Sequence, residues 1–242
     1  MKQPTLLALD TSSEACSVAL QMGDQVLHRF TDQPRKHAEL ILPLVDEVLA
    51  EAGLKLTQLD ALCFGRGPGS FTGLRIAAGT VQGLAFGADL PVIPVSSLAG
   101  LAQRAVREFG WSRIHAAFDA RMGEVYWGSY QLNASGELEL SGRECVCVPA
   151  RLADAAGIEP DPGWCGAGSG WTFRAELEDA TGPLQQCEPA LLPHARDLLP
   201  LASRLWQQGQ CISAEQVVPV YLRNDVAVKS APRNTNPSST DK

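Results

Sequence analysis

Short continuous apolar runs, each closed by turn residues, dominate the start of this chain. Residues 5–9 run apolar into Asp10-Thr11-Ser12-Ser13, and 15–20 form a second run. Val26 to Phe30 forms a third after the turn Met22-Gly23-Asp24. Runs of this length predict buried strands, here a meander of two hairpins. The spacing then becomes helical from 37 to 52 and stops at Gly53, with Pro43 admissible near the first turn or at a bend. Leu40, Leu44 and Val48 lie beside Ile41, Val45 and Leu49. Together the two stripes span about 200° of helix surface, whereas a helix resting on one sheet needs about 100°. Either the rest of the fold or a helix of a partner chain covers the surplus.

A strand at 59–64 leads into Gly65-Arg-Gly-Pro-Gly-Ser-Phe-Thr-Gly-Leu-Arg75 and then a helix over 72–86. Its plainly polar residues are Arg75, Thr80 and Gln82, which predicts burial nearly all round. Gly79, Gly83 and Gly87 recur every four residues. Each glycine costs a helix about 1 kcal/mol against alanine, so the repeat points to close approach of another backbone. A strand at 90–95 and a helix from Ser96 to Phe109, opened by a Ser cap, complete the first half. From Ser112 the pattern repeats faintly: a strand at 114–118 ends at Asp119, and 124–132 follows the turn Arg121-Met122-Gly123. Further strands at 143–148, 163–165 and 217–222 and helices near 150–156 and 194–208 are predicted. The reading is an α/β protein with a first lobe over 1–110, a shorter second lobe over 111–230 and a disordered tail over 231–242.

Composition narrows the function. Apolar content of 45% with 19% charged residues over 242 positions describes a globular protein. A net charge of −7 offers no basic face, so any nucleic-acid role is indirect. Seven scattered cysteines without a CxxC read as reduced apolar filler in a cytoplasmic protein, although Cys145 and Cys147 share a strand face. Four dispersed histidines form no HxxxH, and no run suits a membrane span or a secretory leader.

The glycine loop opening the 72–86 helix invites a phosphate, yet no lysine lies between Lys55 and Lys229, and neither GxxxxGK[ST] nor GxSxG occurs. Asp10, at a strand end, either caps its turn or holds a metal-bound water. Asp119 has the same context, with Arg121 and Glu124 close by. These suggest a cleft between lobes, or, at Asp119, a salt bridge that stabilises the turn.

Four segments together resemble the TsaB (YeaZ) family: Leu7 to Leu20, Gly65 to Arg75, Asp119-Ala-Arg-Met-Gly-Glu-Val-Tyr126 and Pro219-Val-Tyr-Leu-Arg223. The resemblance spans about residues 5 to 225. It implies the ASKHA (actin, Hsp70, sugar-kinase) fold, two lobes each with a mixed five-stranded sheet flanked by helices. It also implies a non-catalytic paralogue of TsaD, which places threonylcarbamoyl on the tRNA adenosine next to the anticodon, working with the ATPase TsaE. The HxxxH metal positions of TsaD fall on Ser97 and Leu101, which are unsuited to iron or zinc, so no catalytic residue, metal or cofactor is expected. The family joins TsaD through two helices of each chain. That carries over to Leu40, Leu44, Val48, Leu74, Val81 and Leu84, with Gly79 and Gly83 as close-approach points, and to a homodimer when the chain is alone. Contact with tRNA is expected only through the complex. The alternative is a stand-alone ASKHA phosphotransferase or metallo-hydrolase, and Asp10, Thr11, Gly67, Gly69 and Ser70 would then be the places for nucleotide contact.

Overall fold

The structure is a computed structural model that describes residues 3–223. The tail expected over 231–242 lies outside the described residues. The first half supplies β1 (Leu6–Asp10), β2 (Cys16–Met22), β3 (Gln25–Thr31), α1 (His37–Ala52), β4 (Ala61–Gly65), α2 (Phe71–Ala88), β5 (Val92–Val95) and α3 (Ser97–Phe109). The second supplies β6 (Arg113–Arg121), β7 (Glu124–Leu132), β8 (Leu138–Cys147), α4 (Leu152–Ala156), β9 (Cys165–Ala167), α5 (Arg174–Thr181), β10 (Gln186–Glu188) and α6 (Ala195–Gln207).

Two five-stranded mixed sheets result, ordered β3-β2-β1-β4-β5 and β8-β7-β6-β9-β10. In each, an antiparallel meander of three strands is followed by two parallel additions beside its first strand. The faint repeat in the sequence is thus one topology used twice. Every residue of β1 and β4 is buried, because helices cover both faces of the first sheet. Such strands lose the alternation of a half-exposed sheet and read as unbroken apolar runs.

α1 and α2 cover the outer face of the first sheet, with Ile41, Val45, Val48, Leu74, Ala77 and Val81 in its core. α3 and α6 lie between the sheets, and one cluster runs from Leu6 and Ala8 through Leu98 and Leu198 to Ile114 and Phe118. α4 and α5 close the far side over Trp127 and Trp171. α6 packs on β1, β2, β4 and β5, although it follows the second sheet in the chain. A cut at residue 110 separates the two sheets in sequence but leaves α6 on the sheet of the first half.

Three local expectations change. α5 and β10 occupy a stretch for which the sequence pattern predicts no element, because α5 is short and polar and β10 is a three-residue edge strand. The segment at 217–222 is not a strand: Pro219 has no N–H to give a ladder, and the Val220 N–H donates to the Arg66 carbonyl at 2.8 Å. α2 is open to solvent along one side rather than buried nearly all round, as described below.

Candidate functional site: a filled cradle and an open helix face

The turn after β1 meets the loop between β4 and α2, where the fold would place a phosphate. Asp10 is 1% exposed, and its Oδ1 accepts from the Ser12 N–H (2.9 Å) and hydroxyl (2.8 Å). Its Oδ2 has no partner among the described residues. Burial pushes the carboxyl up to about 6, against the two bonds from Ser12 that favour its charged form.

Glycine makes this approach possible. A Cβ on Gly65 would stand 2.0 Å from Asp10 Oδ2, one on Gly69 2.3 Å from the Ser12 carbonyl oxygen, and one on Gly73 1.9 Å from the Thr11 carbonyl oxygen. A Cβ on Gly67, at φ +106°, would stand 2.8 Å from the Val220 carbonyl oxygen. The donors are engaged as well. The Ser70 N–H donates to the Ser12 carbonyl at 2.7 Å, the Thr11 hydroxyl to the Gly73 carbonyl at 2.7 Å, and the Gly67 N–H to Ser97 Oγ at 3.1 Å. The Ser70 hydroxyl caps α2 by accepting from the Gly73 N–H at 3.4 Å. Asp10, Thr11, Gly67, Gly69 and Ser70 therefore come together, but they face one another. The turn after β1 is packed directly into the loop that opens α2.

Metal chemistry finds no better support in the donor set. Ser97 and Leu101 are both fully buried, and Leu101 belongs to the core between the sheets. His115 stacks on Trp164 at 4.2 Å and bonds Ser129 Oγ, while burial pulls its pKa down to about 3. His194 caps α6 by accepting from the Arg196 N–H and is likewise held near 3 by burial. Among the described residues no three His, Cys, Asp or Glu side chains gather as a metal site.

The second feature is α2 itself. Leu74, Ala77, Ala78, Val81 and Ala85 are buried against the first sheet. The opposite side carries Phe71 (53% exposed), Arg75, Gly79, Gln82, Gly83, Phe86 (74% exposed) and Gly87. A Cβ on Gly79, Gly83 or Gly87 would meet nothing within 4 Å. Of the expected contact positions, Val48, Leu74 and Val81 are occupied by the home core, so their side chains are not on the surface. Leu40, Leu44 and Leu84 are half-buried at its margin, and Gly79 and Gly83 are open. Phe86 was absent from the expected set although it lies at helical spacing from Gly79 and Gly83 on the same stripe, a signal present in the sequence.

Comparison with known proteins gives the family. The family model described as "TsaD: tRNA N6-adenosine threonylcarbamoyltransferase" matches residues 28–227. The tRNA threonylcarbamoyladenosine biosynthesis protein TsaB of Escherichia coli (strain K12) is 44% identical, covering 94% of this chain and 98% of that protein. The TsaB of Haemophilus influenzae is 42% identical, covering 96% and 99%. The chain belongs to the TsaB (YeaZ) family. YeaZ from Pseudomonas aeruginosa superposes with a TM-score of 0.82 at 51% identity, over 90% of this chain and all of that one. The two-lobed ASKHA-type fold is thereby shared.

Two TsaB-like segments now have structural roles. At the β6–β7 hairpin the Asp119 carboxylate accepts from the Arg121 N–H (2.7 Å) and guanidinium (3.0 Å). This holds a tip whose residues Arg121, Met122 and Gly123 all have positive φ. Glu124 points elsewhere and pairs with Arg223, which also donates to the Ala120 carbonyl. The Tyr221 hydroxyl accepts from Arg75 Nε at 3.1 Å, so the strap 217–223 ties the start of α2 to the second half.

Proposed function

We propose that this chain serves the formation of threonylcarbamoyladenosine in tRNA as a non-catalytic subunit. It binds the threonylcarbamoyl-transferring TsaD protein through the open face of α2 and the neighbouring margin of α1. The ATPase TsaE joins that assembly, tRNA is reached only through it, and alone the chain pairs with itself by the same face. The observation that carries the reading is the exposed α2 stripe. Three helix glycines with open space above them lower the stability of the isolated chain and serve a close backbone approach. Phe86 and Phe71 beside them supply the apolar area that a docking patch requires. The filled cradle supports the absence of chemistry of its own, since the Thr11 hydroxyl and the N–H groups of Gly67 and Ser70 bond within the chain.

The test is sedimentation velocity of the chain alone and with the TsaD protein of the same organism. A homodimer replaced by a stable heterodimer is expected. Phe86→Asp should weaken both assemblies at least tenfold, because it places an unpaired charge in a dry contact, while leaving the melting temperature of the monomer unchanged. Assemblies indifferent to Phe86→Asp would move the contact elsewhere. ATP turnover by the chain alone would favour instead a stand-alone ASKHA phosphotransferase.

A further inference from the structure

On the other side of the first sheet from α1 and α2, a cavity of about 460 Å³ lies along the outer edge of β5. The Arg66 backbone is fixed at its mouth, donating to the Val95 carbonyl and accepting from Val220, each at 2.8 Å. Arg204, Leu201 and Leu205 of α6 line the same cavity. Both arginines have donors to spare. The carboxylate nearest Arg66 is that of Glu144, at 3.9 Å. Glu144 spends its other oxygen on the hydroxyls of Ser96 and Tyr130. Arg204 donates to the Leu138 carbonyl at 2.9 Å and stands 3.9 Å from the half-exposed Glu137. A charge-assisted bond between guanidinium and carboxylate runs to about 2.7–2.9 Å, so neither arginine is saturated.

We propose that this cavity binds a small oxyanion carried on a flat apolar body, the anion held between Arg66 and Arg204 and the body on Leu201 and Leu205. Two guanidiniums offer a forked donor set matched to phosphate or carboxylate oxygens. The volume falls within the range of small-molecule sites, roughly 300–1,000 Å³. The site borders the cradle through Arg66 and Val220, and no residue of α2 lines it.

Phenyl phosphate titrated into the ¹⁵N-labelled full-length chain is the probe, with inorganic phosphate, benzoate and benzyl alcohol as controls. Saturable shifts of the Arg66, Val95, Leu201 and Gln210 amides are expected, with a Kd on the order of millimolar for so small a ligand. Affinity should fall at least tenfold in Arg66→Gln and in Arg204→Gln. Val218→Trp, at an exposed rim position, should block the same shifts without altering the fold. Benzoate binding as tightly as phenyl phosphate would keep the site and assign it to carboxylates. Binding unchanged in the arginine variants and in Val218→Trp, or inorganic phosphate matching phenyl phosphate, or no saturable shift at all, would overturn the proposal.

Discussion

Asp10 is a strand-end carboxylate that the fold encloses. In a working phosphate site a strand-end carboxylate faces solvent or a metal-bound water; here it is enclosed, with one oxygen unpartnered. Its carboxyl titrates near 6 in the folded chain against the usual 3.8, so between these values the native state holds more protons than the unfolded one. The contribution is favourable below pH 4 and is lost as pH rises through 6. A shift of this size corresponds to about 3 kcal/mol. Asp10→Asn should therefore raise stability at pH 7 and flatten its change between pH 4 and 7, as measured by urea unfolding across that range. An Asn variant whose pH profile matches the parent would show that Asp10 is not the group responsible. The residue's place at a strand end was legible in the sequence. Its burial was not, because that depends on Gly65, 55 positions away in the chain, admitting its oxygen.

At the level of the element, α2 sets two demands against each other. Buried residues on one side anchor it, while Gly79 and Gly83 on the other have neither contacts nor a positive φ that would call for glycine. Gly79→Ala and Gly83→Ala should each stabilise the isolated chain by about 1 kcal/mol and weaken its assemblies, a pairing of effects that a purely structural glycine would not give. Chemical denaturation and sedimentation of the same two variants check both halves. β1 to β7, α1, α2, α3 and α6 were readable because their periodicity is long or their apolar runs unbroken, whereas β8 and β9 were met only in part by the strands expected at 143–148 and 163–165. α5 and β10 were not, since their polar surfaces leave little periodic signal. Helical spacing also could not say which stripe of α2 faces home. Small residues satisfy a buried face and an exposed one equally well, and only the packing of Ala77 and Val81 in the core of the first sheet decides it.

Across the whole molecule, the halves are held by long-range ties rather than by a linker. The strap from Val217 to Arg223 joins Arg66 and Arg75 of the first half to Ala120 and Glu124 of the second. Arg223→Ala and Glu124→Ala should each cost about 1 kcal/mol, the size of a partly exposed pair, and the double variant should cost less than their sum. A double-mutant cycle in urea measures this, and full additivity would show that the ion pair contributes nothing. The motif containing Arg223 was visible in the sequence, whereas its partner was not, because 99 residues separate the two. The return of α6 to the first sheet has a further consequence for synthesis. While the ribosome is still making the second sheet, the face of β1, β2, β4 and β5 that α6 covers awaits a helix encoded about a hundred residues after β5, because α3 packs chiefly on α6 and on the second sheet. Contacts of such high sequence separation form slowly. The nascent chain thus carries an apolar sheet surface until α6 emerges, and the two halves mature together rather than in turn.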